Sequence, residues 1–233
     1  MTALLPGTVM AACPPVPPEI ATPLGALTFA TEINGCELPA TPLRAFRLPS
    51  GAVVSRWSTS SADVETGLGR YVEEPIGPVE LTDCWALLWR VSARVALPGV
   101  VVTATLPVGA QGVANPGQGI AAVEFDADDV RLSVGTRDEE DLCAGPGAPP
   151  RWESLLPQVY KRRHWPHWGV NVFENRGLRW QLPELAAGEQ CDLSFAASWR
   201  TVTPKDADDQ STWFAVGMPV DMTLCQADSA GLR

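Results

Sequence analysis

Residues 84–97 read Cys-Trp-Ala-Leu-Leu-Trp-Arg-Val-Ser-Ala-Arg-Val-Ala-Leu, and this stretch decides the fold class. Apolar residues fill every odd position, whereas the even positions include Arg90, Ser92 and Arg94. Successive side chains of a β-strand point to opposite faces, so this two-residue period builds one apolar face, which an α-helix cannot do. The stretch therefore predicts a long strand with one face in the core and the other against solvent or a second layer.

The residues that follow predict where the chain leaves this strand. Pro98-Gly99 precedes a second apolar run at 100–106. Pro-Gly favours a type II turn, whose twist matches a two-residue hairpin poorly. The two strands are therefore expected to splay apart or to belong to different sheets.

Shorter strands recur along the chain in pairs joined by turn residues. The predicted hairpins pair 43–48 with 52–57, 120–125 with 130–134, and 169–173 with 178–182. Residues 191–200 alternate in the same way, and 212–216 predict the start of a last strand that ends near Leu224. About nine or ten strands with almost no helical periodicity predict an all-β fold, an antiparallel β-sandwich or jelly roll.

The N-terminal region differs from the rest in composition. Residues 1–40 include the proline-rich run 13–20 and predict an extended arm over the surface or a neighbouring subunit, or a flexible tail. Residues 41–233 form the predicted sandwich domain, with the loop at 136–150 as the place for any internal boundary. A short helix is expected within 152–160.

Charge and composition exclude several classes of function. The net charge of −10 disfavours binding to nucleic acids and to anionic membrane surfaces. No apolar stretch is long enough to span a bilayer, and no glycine-rich loop follows a strand to hold a nucleotide, so no cofactor is expected. The start of the chain lacks a basic segment and is interrupted by Pro6-Gly7, so no signal peptide is predicted and the expected location is cytoplasmic, or a particle assembled after cytoplasmic synthesis.

Cysteine and histidine usage argues against two common kinds of chemistry. The six cysteines show no CxxC spacing, which disfavours a zinc site and, without a signal peptide, favours free thiols over three disulfides. The only two histidines lie in one segment, and no Gly-x-Ser-x-Gly motif occurs. A serine or cysteine nucleophile usually needs a histidine base, so nucleophilic catalysis has little support.

One basic run is interleaved with aromatic residues: Tyr160-Lys-Arg-Arg-His-Trp-Pro-His-Trp168. Arginine, tryptophan and tyrosine dominate the energetics of protein interfaces. The predicted binding residues are Tyr160, Arg162, Arg163, His164, Trp165, His167, Trp168 and Trp180. They are expected to contact other protein subunits, or to form a surface loop with buried tryptophans. Trp165, Trp168 and Trp180 could alternatively stack on a carbohydrate.

An acidic run, Glu124-Phe-Asp126-Ala-Asp128-Asp129, lies at the end of a predicted strand. Carboxylates at alternate strand positions share a face and raise one another's pKa, as glycosidases require. The pattern resembles the catalytic strand of jelly-roll glucanases of the laminarinase type over about five residues, which implies glycoside hydrolysis at Glu124. Asp126, Asp128 and Asp129 are alternatively calcium-ligand candidates, as are the aspartates at 206, 208 and 209.

The favoured prediction is a non-enzymatic structural or assembly protein that engages protein subunits through its N-terminal arm and the basic aromatic run. The first alternative is a module that binds carbohydrate or another small ligand. The second is a glycoside hydrolase using Glu124. A pore-forming protein is a further alternative, because the apolar face of 85–97 is long.

Overall fold

The computed structural model describes residues 11–48, 51–70, 81–127, 129–137, 161–162, 170–173, 175–182, 184–206 and 209–217. The strands in these ranges are β1 (Ala11–Cys13), β2 (Glu19–Thr22), β3 (Gly25–Ile33), β4 (Cys36–Glu37), β5 (Arg44–Arg47), β6 (Val53–Ser58), β7 (Ala62–Arg70), β8 (Asp83–Ala93), β9 (Val100–Thr105), β10 (Val113–Ala114), β11 (Ile120–Ala127), β12 (Val130–Arg137), β13 (Lys161–Arg162), β14 (Val170–Phe173), β15 (Gly177–Leu182) and β16 (Glu189–Thr201). A 3-10 turn at Pro204–Asp206 precedes the helix α1 (Ser211–Val216).

The strands form two sheets that are antiparallel except at β13. Sheet A has ten strands in the order β1-β5-β6-β7-β8-β16-β12-β11-β10, with β13 parallel to β16. Sheet B has six strands in the order β14-β15-β9-β3-β2, with β4 paired to β3. The all-β sandwich predicted from the sequence is confirmed.

The core lies between the facing surfaces of the two sheets. The odd positions of β8 turn inward as predicted, and Leu87, Trp89 and Val91 are almost fully buried. Sheet B contributes Val102 of β9 and Leu27 of β3 to the same core. Burial of this kind removes apolar surface from water and is the main favourable contribution to folding.

Aromatic rings join the two sheets at the centre of this core. Trp89 and Phe195 of sheet A lie 5.7 Å apart between ring centroids, in an edge-to-face arrangement. Phe29 of β3 contacts Trp89 at 5.3 Å, and Trp180 of β15 contacts Phe195 at 6.3 Å. Such pairs add about 0.5 to 1.5 kcal/mol beyond the burial of their area.

The expected break after residue 97 is confirmed, because β8 lies in sheet A and β9 in sheet B. The three predicted hairpins also form, as β5–β6, β11–β12 and β14–β15. In each case the strand positions predicted from the sequence agree with the observed pairing.

The prediction of an arm over residues 1–40 is corrected. β3 lies beside β9 in sheet B, and Leu27 and Ile33 are buried in the core. The proline-rich residues 14–18 connect β1 in sheet A to β2 in sheet B. Residues 1–10 lie outside the described ranges.

The prediction of a strand starting at 212–216 is wrong, because these residues form α1. The helix lies on the outer face of sheet A, where Trp213 and Val216 pack against Ile120, Ala122 and Ala196. A six-residue helix spans less than two turns, so its period is too short to recognise in the sequence. The helix predicted within 152–160 lies outside the described residues.

Two further observations concern the described ranges. No helix there has the length and apolar character needed to span a bilayer. The cysteines described there, Cys13, Cys36, Cys84 and Cys191, are free thiols, as predicted for them.

The aromatic contacts across the two sheets generate a stability prediction. Phe195→Ala is expected to lower the free energy of unfolding by about 3 to 5 kcal/mol, because it leaves a cavity between the sheets. Phe214→Ala, on the exposed side of α1, is the matched control and should cost about 1 kcal/mol or less. Urea unfolding followed by circular dichroism measures both, and equal losses would contradict the assigned core.

Candidate functional site

A cavity of about 340 Å³ opens on the outer face of sheet A. It lies over β5 to β8 and the start of β16. We call this cavity the charged groove, and its lining residues are Leu43, Arg44, Arg56, Trp57, Ser58, Asp63, Glu65, Arg90, Ser92 and Gln190.

Strand register sets a row of charges across the groove. Arg44 is directly opposite Arg56, Arg56 is opposite Glu65, and Glu65 is opposite Arg90. The register continues to Asp192 of β16. Because directly opposite residues have Cβ atoms about 5 Å apart, Glu65 interacts with both Arg56 and Arg90.

The row lies between two others of different character. On one side, Val54, Gly67 and Leu88 are aligned, and Val54 and Leu88 belong to a small apolar cluster with Leu48, Ala52 and Ala86. On the other side, the aligned residues are the polar Ser58, Asp63, Ser92 and Gln190. The groove therefore has an apolar wall, a charged floor and a polar wall.

The charged floor is unusually buried. Arg90 is 2% exposed and Glu65 is 8% exposed, although both side chains point away from the core between the sheets. Arg56 forms an ion pair with Glu65, and its side chain remains 37% exposed. Burial raises the pKa of Glu65 from 4.5 to about 7, against the opposing effect of Arg56 and Arg90.

Asp63 shares the outer face of β7 with Glu65 but has a different role. Its Oδ1 accepts hydrogen bonds from the Ser58 hydroxyl at 2.7 Å and from Arg94 Nη2 at 2.6 Å. Its Oδ2 accepts a hydrogen bond from Arg94 Nε at 3.0 Å. With both oxygens engaged, Asp63 is a structural anchor at the edge of the groove and a poor nucleophile.

The local sequence explains how β7 presents these groups. In the segment 62–70, Val64 points into the core and Asp63 and Glu65 point outward. Gly67 and Gly69 continue the outer face without side chains. That absence leaves room for the apolar cluster, which lies beside Glu65 and reduces its contact with water.

The structure places only part of the predicted binding cluster. Arg162 lies in β13, whose backbone pairs with that of Gln190 at the border of the groove. Tyr160, Arg163, His164, Trp165, His167 and Trp168 lie outside the described residues. The expectation for Trp180 is corrected: its side chain is fully buried between the sheets and offers no surface to a partner or a sugar. The alternation along 178–182 places Trp180 on the same face as Leu178 and Leu182, and this face packs in the core between the sheets.

The Glu124 region has the predicted strand geometry, and its groups are engaged. β11 continues to Ala127, so Glu124 and Asp126 share the outer face. Glu124 accepts a hydrogen bond from Asn115 Nδ2 at 2.6 Å, and the Ser133 hydroxyl lies 3.5 Å from its other oxygen. Asp126 forms an ion pair with Arg131 at 2.8 Å. Both carboxylates are therefore engaged in contacts with neighbouring residues.

Three of the calcium candidates, Asp126, Asp206 and Asp209, form ion pairs with arginines of the protein itself. Asp126 faces Arg131, and Asp209 accepts from Arg200 at 2.5 Å and from the Ser211 hydroxyl at 2.8 Å. Hydrogen bonds from Thr203 hold the pKa of Asp206 below its usual value. Asp129 is exposed in the turn, and Asp128 and Asp208 lie outside the described residues. Among the residues that the structure describes, no three metal-ligating side chains cluster.

Sequence reasoning missed the charged groove itself. Arg90 was visible at an even position of the strand that decides the fold, and Asp63-Val-Glu65 alternates around an inward valine. Neither pattern shows which strand lies beside which, so the row could not be assembled from local signals.

Comparisons with known proteins leave the family open. No family model matches the chain, and no curated protein matches it in sequence. One solved structure that the chain matches is described as "Putative kojibiose phosphorylase from human microbiome". It is 10% identical, with a TM-score of 0.43, over 96% of this chain and 29% of that chain. The chain thus spans less than a third of that protein's length, and a likeness at this level assigns no function.

The raised pKa of Glu65 generates a prediction about stability and pH. Folding raises this pKa from 4.5 to about 7. Between pH 4.5 and about pH 7, Glu65 is therefore protonated in the folded state and ionised in the unfolded state. The stabilisation is complete below pH 4.5 and is lost as the pH rises through about 7. Glu65→Gln removes this pH dependence. Relative to the variant, the free energy of unfolding of the wild type should therefore fall by on the order of 2 to 3 kcal/mol between pH 5 and pH 8.

Urea unfolding of both proteins at pH 5 and pH 8 measures this difference. Glu19→Gln, at an exposed position of β2, is the matched control and should follow the wild type at both values. A stability difference between wild type and Glu65→Gln that is the same at pH 5 and pH 8 would contradict the assigned environment of Glu65.

Proposed function

We propose that this chain is a ligand-binding β-sandwich whose site for a small polar molecule is the charged groove. The observation that carries the proposal is the Glu65 carboxyl, buried between Arg56 and Arg90 on the floor of an open cavity of about 340 Å³. A pocket of this size lies in the range of small-molecule sites.

The energetics of the floor support a functional role. Taking charges out of water costs several kcal/mol per ion, and apolar residues of similar volume are often as stable or more stable. The outer face of sheet A already buries apolar residues in the neighbouring row, at Val54 and Leu88. The buried Glu65 and Arg90 beside them are therefore a departure from the most stable solution, and such departures concentrate at functional sites.

The lining groups indicate the chemistry of the ligand. Arginines donate hydrogen bonds, and Glu65 can accept or, when protonated, donate. The hydroxyls of Ser58 and Ser92 and the amide of Gln190 border the same cavity. Trp57 is only 8% exposed, and its Nε1 donates to the Pro39 carbonyl at 2.7 Å, so ring stacking contributes little. These features favour a small hydroxylated ligand, such as a carbohydrate, held by directional hydrogen bonds.

The other functions expected from the sequence stay predictions. The assembly role and the protein partners were predicted from the arm over residues 1–40 and the basic aromatic run at 160–168, and the cytoplasmic location from the start of the chain. Residues 1–10 and most of 160–168 lie outside the described ranges. A hydrolase at Glu124 would need that carboxylate to leave Asn115 and Ser133. We favour ligand binding because its groups converge in one cavity.

Calorimetric titration with a panel of neutral sugars, sugar acids and polyols tests the proposal. Arg56→Gln should weaken the binding of any ligand of the groove by about tenfold or more, since a hydrogen bond to a charged group contributes about 1.5 to 3 kcal/mol. Arg56 is the choice because it is the more exposed of the two arginines beside Glu65, so the variant is expected to fold.

Arg176→Gln, an exposed arginine in the turn before β15, is the matched control and should bind within about twofold of the wild type. Circular dichroism checks that both variants fold. Binding by none of the panel at millimolar concentration, or equal binding by Arg56→Gln and the wild type, would overturn the proposal.

A further inference from the structure

The charged groove is not electrically balanced along its length. Among the described residues, those of its charged row that line the cavity are Arg44, Arg56, Glu65 and Arg90, so three cations accompany one carboxyl there. The other lining carboxylate, Asp63, is held by Arg94 outside the row. This concentration of arginine is unexpected in a chain whose net charge is −10.

The excess positive charge lies at one end of the row. At the β8 end of the described row, Arg90 has Glu65 opposite it on β7. At the β5 end, Arg56 is directly opposite Arg44, which is exposed. Like charges directly opposite across two strands destabilise a sheet. Among the described residues, no carboxylate pairs with Arg44.

We propose that the charged groove selects ligands that carry a carboxylate, such as sugar acids. The ligand carboxylate binds between Arg44 and Arg56. There it replaces Glu65 as the ion-pair partner of Arg56. The inference rests on the proposed function and names the ligand class of the same site. Two guanidinium groups on adjacent strands supply the parallel donors that a planar carboxylate accepts.

Exchange of one carboxylate for another couples binding to a proton. When the ligand approaches Arg56, Glu65 loses its closest cation and gains a negative neighbour, and both changes favour its protonated form. The other charges near Glu65 are Arg90 on β8 and Asp63 on its own strand, and Gln190 on β16 is neutral. A sugar acid remains ionised well below neutral pH, so binding takes up a proton at Glu65 and is tighter at low pH.

Paired probes separate this inference from the proposed function. Glucose with glucuronate, and galactose with galacturonate, are titrated calorimetrically against the wild type at pH 6 and pH 8. We expect the acid of a pair to bind at least about tenfold more tightly than its neutral partner at pH 6, with affinity for the acid falling by about tenfold at pH 8.

Two variants identify the groups responsible. Glu65→Gln should bind the acid with equal affinity at both pH values, because the exchangeable proton is gone. Arg44→Gln should reduce the preference for the acid over the neutral sugar to near one. Arg176→Gln is the control and should keep both the preference and the pH dependence of the wild type. Exposure of Arg44 and the near-equal size of glutamine and glutamate favour normal folding of both variants.

The outcomes that overturn the inference are distinct from those that overturn ligand binding itself. If the neutral sugar and the sugar acid bind with equal affinity, and Arg56→Gln binds neither, the groove is a binding site without selectivity for carboxylates. An unchanged pH dependence in Glu65→Gln would remove the proton exchange. Binding of no probe at either pH would contradict the proposed function together with the inference.

Discussion

The packing of two sheets through one aromatic cluster is the constraint on which the rest of the structure depends. Trp89 and Phe195 present rings from sheet A, and Phe29 and Trp180 meet them from sheet B. Because side chains alternate along a strand, fixing these inward positions also fixes which residues face outward. Placing Trp89 in the core therefore places Arg90 on the outer face. In the same way, placing Val64 in the core places Glu65 on the outer face, opposite Arg90.

The outer face of sheet A is divided between structural cover and a candidate site. α1 packs over β11, β12 and β16, where Ser133 donates to the Thr212 hydroxyl at 2.9 Å and Ser198 donates to the Thr212 carbonyl at 2.6 Å. Arg131 and Arg200 hold the segment before the helix through Asp209. The acidic and basic residues there satisfy one another. On β5 to β8 the charges face a cavity.

This contrast separates the two polar regions of the sheet by function. In the first, Asp126 and Asp209 are paired with Arg131 and Arg200, and the expected role is stability. In the second, Glu65 is buried enough to raise its pKa to about 7 while Arg44 and Arg56 face each other. An arrangement that the described residues leave incompletely neutralised is suited to a ligand that completes it. The proton on Glu65 gives such a site a means of responding to pH near neutrality.

The sequence by itself determined the fold class, because strand periodicity and turn chemistry are local properties. Residues 84–97 and 191–200 encode their inner faces in their own alternation, and the break at Pro98-Gly99 is encoded in a dipeptide. It did not determine that β3 belongs to sheet B, nor that 211–216 form a helix, since both depend on partners distant in the chain. The charged groove was decided only by tertiary structure. Arg44, Arg56, Glu65 and Arg90 lie on four strands, and only their pairing register brings the side chains into one row and buries Glu65 between two arginines. Register and burial are non-local, so the chemistry of the row, including the shifted pKa, exists only in the folded protein.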